Sequence, residues 1–368
     1  MAPVATTQPA AVPDVQSLKK DDNAKVFNPF YSPSISDDGD DTYVHAQFKA
    51  PPRRSSIITP AIGTELSGID LRQLSDSQKD ELALLVAERG VSSATRILPY
   101  KNNLTLPVIF GPLHKHATTP IPKVGIEEVH VVYNDGSRRP DPSSFSKLEL
   151  WHSDVTYEKQ PPSVTSLKVI TGPEYGGDTL WASGYALYSG LSPGFQTYLE
   201  GLKAVHSGVA QAEGARAAGL PVRRQEIESI HPLVRVHPAT GWKSVFVNPG
   251  FTRRIVGVPK AESDAILSFL FHQIAENVDN QVRFQWEPNS IAFWDNRVVV
   301  HSATFDFWPA TRHALRATPH GEKPTSVEDY ERQTGKTAKD RQLEIWKQQG
   351  LEAQTSKNHN SKTRGYND

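Results

Sequence analysis

Apolar positions in this chain come in short runs rather than long periodic stretches. From Leu148 onward the runs are punctuated by Gly and Pro, which predicts strands at residues 166–170, 179–181, 244–247, 290–294 and 298–301. Helical spacing interrupts them at 184–191, 193–202 and 260–276. Upstream, Ser75 followed by Gln78 has the form of a capping box, opening a helix whose inward positions include Leu82, Leu85 and Val86. Many short strands and few helices predict a mainly β fold with flanking helices, built as an antiparallel sandwich or barrel. Residues 1–40, rich in Pro, Ala, Ser and Asp and without periodicity, are expected to be a disordered arm. One domain is expected over 41–325. A charged, partly helical and peripheral tail is expected over 326–368, with helical spacing at 339–349.

Composition narrows the chemistry. The 368 residues contain no Cys, which excludes disulfides, thiolate metal sites, iron–sulfur clusters and a cysteine nucleophile. Any metal must be held by His and carboxylates. A net charge of -1 gives no reason to expect a nucleic-acid or acidic-membrane partner, while a homo-oligomer is allowed. No apolar run is long enough to span a bilayer. The N-terminus lacks the basic start and apolar stretch of a secretory signal, so a cytoplasmic enzyme is the expectation.

Two segments carry the candidate chemistry. In Trp151-His152-Ser153-Asp154, a strand would turn positions 152 and 154 to one face, so His152 and Asp154 could converge on one ion. A second strand-like segment runs from Trp294 to His301 and ends in another imidazole. Two imidazoles and one carboxylate occupy one face of an octahedral metal and leave three positions for a bidentate 2-oxo acid and O₂. The distal carboxylate of such an acid needs a cation and a hydroxyl. Arg312 and Thr179 are candidates for these, and Arg316 would share a strand face with Arg312. Taken singly, each feature has a blander explanation. An HxD pair is more often two solvated surface residues, and the two arginines could be surface charge. Asp178 and Thr179 after two glycines could be only a turn. His206, His231, His237 and His272 are read as structural.

Together the parts resemble the taurine dioxygenase family of 2-oxoglutarate-dependent oxygenases, particularly fungal sulfonate dioxygenases. The resemblance runs from about Thr59 to Pro324, through WHSDVTYEKQPPS, GGDTLWAS, VFVNPGFTRRIVGVP, LSFLFHQI and AFWDNRVVVHSAT in family order. It implies a double-stranded β-helix (jelly roll), with Fe(II) held by His152, Asp154 and His301. It also implies Thr179 and Arg312 on 2-oxoglutarate, and His116, Arg316 and Val155 on a sulfonate substrate. The implied reaction hydroxylates the carbon bearing sulfur, using O₂ and 2-oxoglutarate. The product collapses to an aldehyde and sulfite, with succinate and CO₂ as coproducts.

The chain departs from the family in three places. Members that take taurine carry a Tyr three residues after the His matched by His116, and an Asn three residues before the Trp of the iron motif. Here these are Thr119 and Leu148. Both family residues serve the amine of taurine, so taurine itself is a doubtful substrate. The third departure is VSSATRILPYKNNLTLPVI at 91–109, where the family has an apolar strand, Arg-Asp-Gln and a helix. Codons exist for 92–109 that, read one base earlier, give FFRDQDITLQEQLDFARH, the expected pattern; Phe110-Gly111 then resumes the family sequence. The segment is therefore read as the product of two compensating frameshifts, the other explanation being a divergent loop. As written, it should be irregular or poorly packed, with Ser92, Ser93, Thr95 and Arg96 at positions meant for a buried apolar strand. Alternative functions are the same chemistry on a sulfate ester, aryloxyacetate or purine, or an inactive relative.

Overall fold

The computed structural model describes residues 55–337 and 340, other than 68, 96–109, 122–126, 138–145 and 288–289. The expected arm at 1–40, residues 96–109 of the atypical segment and all but Asp340 of the 339–349 helical spacing lie outside the described residues.

The largest element is a seven-stranded sheet. Its order is β1 (Ser55–Ile57), β2 (Thr64–Ser67), β3 (Val91–Thr95), β13 (Ile291–Asp295), β5 (Val164–Thr171), β15 (Arg312–Ala317) and β4 (Val129–Asn134). Only β2 and β3 pair in parallel; the other neighbours in this sheet are antiparallel. A three-stranded sheet, β12 (Gln281–Phe284)–β6 (Thr179–Ser183)–β14 (Val299–Ala303), packs against its inner face. Leu167, Val169, Ala292, Trp294 and Ala314 of the large sheet share one buried cluster with Trp181, Val282 and Val299 of the small one. Side chains alternate along strands, so each strand gives every second residue to this shared core.

Two smaller ladders complete the β structure: β11 (Thr252–Ile255)–β7 (Lys203–Ser207)–β8 (Glu228–Pro232), and β10 (Lys243–Val245)–β9 (Val234–Val236). The helices flank these sheets. In α1 (Asp76–Arg89) the capping box forms, with Gln78 N donating to Ser75 Oγ at 3.3 Å and Ser75 N to Gln78 Oε1 at 2.9 Å. Its Leu82, Leu85 and Val86 pack on Val164, Ile291 and Phe293. The expected helices at 184–191, 193–202 and 260–276 are α2 (Gly184–Ser189), α3 (Pro193–Glu200) and α5 (Lys260–Glu276). The sequence reading had not singled out α4 (Val209–Ala217). No helix among the described residues is long and apolar enough to cross a membrane.

Two regions differ from expectation. First, residues 91–95 are not irregular: they form β3, between β2 and β13. The backbone supplies N–H and C=O whatever the side chain, so two flanking strands can recruit even a serine-rich segment. The side chains do not fit equally well. Ser92 is 1% and Ser93 2% exposed, and neither hydroxyl has a hydrogen-bond partner. Ser92 pairs with Phe293 on the α1 side of the sheet, and Ser93 with Ala292 on the inner side. Second, the chain after Pro324 stays packed for another turn of structure. In α6 (Val327–Thr334), Val327 and Tyr330 join the core around β9, β10 and α5, and Val236 N donates to Thr325 O at 3.0 Å. The boundary expected at 325 falls inside this packing.

Candidate metal centre

His152, Asp154 and His301 come together: one potential ligand atom from each lies within 4.8 Å of the others. Both imidazole Nε2 atoms stand 3.9 Å from Asp154 Oδ1. The expected strand through 152–154 is not what brings them together. His152 forms an isolated antiparallel bridge with His301, His152 N donating to His301 O at 2.9 Å and His301 N to His152 O at 2.7 Å. Asp154 then lies in a turn. Next to it Val155 has φ 38, the one positive value at a non-glycine among the described residues. A β-branched residue in that region is strained, and such strain persists only where surrounding packing holds it. Here Tyr157 and Phe251 pack on Val155. Gly250 permits the closest approach, since a Cβ on it would lie 2.9 Å from His152 Cβ.

Hydrogen bonds set the ligands' protonation. His152 Nδ1 donates to Leu150 O at 2.8 Å, which leaves its Nε2 lone pair facing Asp154 and His301. Burial holds both ligand imidazoles below their ordinary pKa; for His301 the neighbouring His152 adds to this. Burial alone would raise the Asp154 carboxyl, but the Arg316 charge, helped by the Thr165 hydrogen bond, outweighs it and holds it well below the usual carboxylate range. Two neutral imidazoles and an ionised carboxylate are the donor set a divalent cation requires.

Asp154 is held on every side. Thr165 Oγ1 donates to Oδ2 at 2.8 Å, and Asn296 Oδ1 accepts from Asp154 N at 3.0 Å. Asn296 Nδ2 in turn donates to Thr165 Oγ1 at 2.8 Å. Asn296 sits in the turn where the chain leaves β13 for β14, so the strands expected at 290–294 and 298–301 form and belong to different sheets. The buried Asp295 braces that turn, accepting from Arg297 Nε at 2.7 Å and pairing with His237 Nε2 at 3.0 Å. His237 is therefore structural, as read. His206 likewise is fully buried against Thr156, and His231 bonds Glu158 O.

Arg316 Nη1 donates to Asp154 Oδ1 at 2.6 Å. This is the oxygen that both Nε2 atoms face, so a cation in the centre and Arg316 draw on the same atom. Arg312 and Arg316 do share a face of β15, with the fully buried Ala314 between them and β4 in unbroken register alongside. Arg312 is 6% exposed; its Nε donates to Gly177 O at 3.1 Å and its guanidinium lies 6.0 Å from the Trp286 ring centre. Gly177, at φ 69, leaves room for it: a Cβ there would stand 3.2 Å from Arg312 Cδ. Trp286 Nε1 donates to Thr179 Oγ1 at 3.0 Å. Thr179 lies two residues from Trp181 on β6, and Trp181 is directly opposite His301, so Thr179 and His301 share a face. Trp286 thus joins the two residues expected to bind a 2-oxo acid. The sequence reading assigned no role to Trp286, Thr165 or Asn296; only Asn296 stood inside a quoted block, and nothing local marks the other two.

His116 is 4% exposed. Its Nδ1 accepts from the backbone N of Thr118 and of Thr119, each at 3.1 Å, so the proton sits on Nε2. The Arg316 charge reaches His116 and, with burial the larger cause, helps hold the ring neutral.

Two histidines and one carboxylate, with His301 and Asp154 buried and His152 partly exposed, form the donor set of the mononuclear non-haem iron oxygenase type of centre. The comparisons agree. Residues 55–318 match the family described as taurine catabolism dioxygenase TauD, TfdA family. A Schizosaccharomyces pombe protein, whose name assigns it provisionally to the alpha-ketoglutarate-dependent sulfonate dioxygenases, is 46% identical over 266 residues, 72% of this chain and 68% of that one. The alpha-ketoglutarate-dependent sulfonate dioxygenase of Saccharomyces cerevisiae is 39% identical over 321 residues, 82% of this chain and 75% of that one. The crystal structure of a taurine dioxygenase from Burkholderia xenovorans superposes with a TM-score of 0.64 at 29% identity, covering 76% of this chain and 94% of that one. The chain belongs to the TauD/TfdA family of dioxygenases.

Proposed function

We propose that this protein is a sulfonate dioxygenase. It uses Fe(II), 2-oxoglutarate (alpha-ketoglutarate) and O₂ to hydroxylate the carbon next to sulfur, and releases sulfite and an aldehyde with succinate and CO₂. The observation that carries this reading is the pair of arginines on one face of β15, one beside Thr179 and Trp286 and the other at the metal carboxylate. Two anions are thereby held at set distances along one strand.

His152, Asp154 and His301 are the iron ligands in this reading, and the bound iron supplies the activation of O₂. Arg312 and Thr179 take the distal carboxylate of 2-oxoglutarate. Arg316, His116 Nε2 and the region of Val155 take the sulfonate and so turn its adjacent carbon toward the metal. The buried ring of Phe251, 6.0 Å from His152, helps exclude water from that space. The facing seven- and three-stranded sheets are the two halves of a double-stranded β-helix.

Two outcomes test the assignment. Arg312→Ala removes a charge-assisted pair worth about 1.5–3 kcal/mol per bond, so the 2-oxoglutarate requirement should rise at least about tenfold. An unchanged requirement would refute the role. The second concerns the substrate tail. Thr119 O and His116 O accept from Arg223 Nη1 at 2.9 and 3.2 Å, and Leu148 offers no polar group to an ammonium. With a guanidinium at the His116 loop, sulfonates lacking an amine should outcompete taurine when sulfite release is measured from mixtures. A strong preference for taurine would show that other residues rebuild an amine site.

A further inference from the structure

Directly across from Arg316, on the neighbouring strand β4, stands His130. Cross-strand partners in an antiparallel pair project to the same face with Cβ atoms roughly 4.5–5.5 Å apart. His130 is completely buried, and its ring lies edge-on to His116 at 5.1 Å between centres. Its Nε2 lies 3.4 Å from His114 O, an acceptor only, so the proton belongs on Nε2 and Nδ1 carries a lone pair. That Nδ1 is buried without a hydrogen-bond partner. Arg316 has the complementary defect: its Nε–H is also buried without a partner, while Nη1 is drawn to Asp154 Oδ1. Buried polar atoms are seldom left unpaired, and two orphans of opposite kind on facing residues ask for a common explanation.

We infer that His130 is a positioning residue for Arg316: its Nδ1 accepts the Arg316 Nε–H when the guanidinium is released from Asp154 and turns to grip the substrate anion. The contact fixes the plane of the guanidinium and leaves its two Nη groups for the oxyanion, beside the His116 Nε2–H. A cation held by His152, Asp154 and His301 would compete with Arg316 for Asp154 Oδ1, and so would free the guanidinium. The ring stays neutral, and hence an acceptor, because burial first and the Arg316 charge second push its pKa down to about 3. The inference rests on the preceding reading of Arg316 as the anion-binding arginine.

The test measures binding without turnover. Full-length protein is loaded with Mn(II) and N-oxalylglycine, and pentane-1-sulfonate is titrated by calorimetry into wild type, His130→Leu and His130→Gln. Loss of an acceptor to a charged donor should weaken sulfonate binding about tenfold or more in His130→Leu, with N-oxalylglycine affinity unchanged, and His130→Gln, which keeps an acceptor, should recover most of it. Steady-state assays should show the same change as a rise in KM exceeding the fall in kcat. A double-mutant cycle with Arg316→Lys, which lacks the Nε–H, separates positioning from packing. Adding His130→Leu to Arg316→Lys should weaken binding no further. Equal, additive losses in both backgrounds, or equal losses in the Leu and Gln variants, would overturn the inference. Should His130→Leu not fold, the Gln variant in the two Arg316 backgrounds decides: near-wild-type binding beside Arg316 supports it, and a Leu-like loss in both overturns it. Wild-type protein that binds pentane-1-sulfonate but releases no sulfite from it refutes the proposed activity instead, and leaves the binding comparison intact.

Discussion

Asp154→Ala should abolish both metal uptake and 2-oxoglutarate turnover. Replacing residues that merely support a metal ligand costs about 10–100-fold in metal affinity, and removing a ligand should exceed that. Here the effect is compounded. Without the carboxylate, Arg316 remains as an uncompensated cation beside His152 and His301, where a divalent ion would have to enter. Leaving one partner of a buried ion pair alone costs about 3–5 kcal/mol of stability, so Asp154→Ala should also melt earlier. His152→Ala is the companion that separates the two effects. It leaves the Asp154–Arg316 pair intact, and its backbone bridge to His301 does not involve the side chain. It should lose metal and turnover with little change in melting temperature. Metal content after anaerobic loading, with succinate formation, reads both variants. Near-wild-type succinate from either would show that the metal assignment is wrong.

The second large effect is a gain. A protein carrying FFRDQDITLQEQLDFARH at 92–109 should be more stable and more active than the sequence as it stands. The argument rests on the two positions whose surroundings are visible. Ser92 faces Phe293 and the α1 cluster of Leu82, Leu85 and Val86, and Ser93 faces the inner core beside the small Ala292. Each hydroxyl buried without a partner costs about 1–3 kcal/mol, and each well-packed Phe contributes about 1.5–3 kcal/mol through burial. Even if half of this is lost to imperfect fit, the melting temperature should rise on the order of 10 °C. The substitution pattern itself is informative. Two adjacent strand residues face opposite sides of the sheet, and both sides are covered here. A family-like Phe-Phe suits those places, and Ser-Ser does not. Expressing both forms and comparing melting temperature and sulfite release checks this. Equal stability and activity would mean that the serines belong to the native design and that the frameshift explanation is mistaken.

Several parts of this protein were legible in one dimension because the relevant physics is local. Ser75 and Gln78 cap α1 through hydrogen bonds spanning three residues, and the apolar positions of α5 follow from its own spacing. The spacing of Arg312 and Arg316 places them on one face of any strand, and β15 is one. His152, Asp154 and His301 were legible through the HxD spacing and a later His standing in blocks that resemble the family, and the structure brings the three together. At 91–95 the poor fit of the serines is legible, while the regular strand is not: the side chains argue against burial, and the backbone is recruited by β2 and β13, which lie elsewhere in the chain.

The sequence by itself determined the donor set of the centre, the two arginines and most of the elements that carry them. Only the tertiary structure decided how the ligands meet. A two-residue bridge ties His152 to His301 across the sequence, a strained turn at Val155 aims Asp154, and Asn296 and Thr165 hold it from the other sheet. Only the fold, too, set His130 opposite Arg316 and Trp286 between Thr179 and Arg312. These are contacts between residues far apart in the chain, and their geometry is set by sheet register, which depends on all the strands at once.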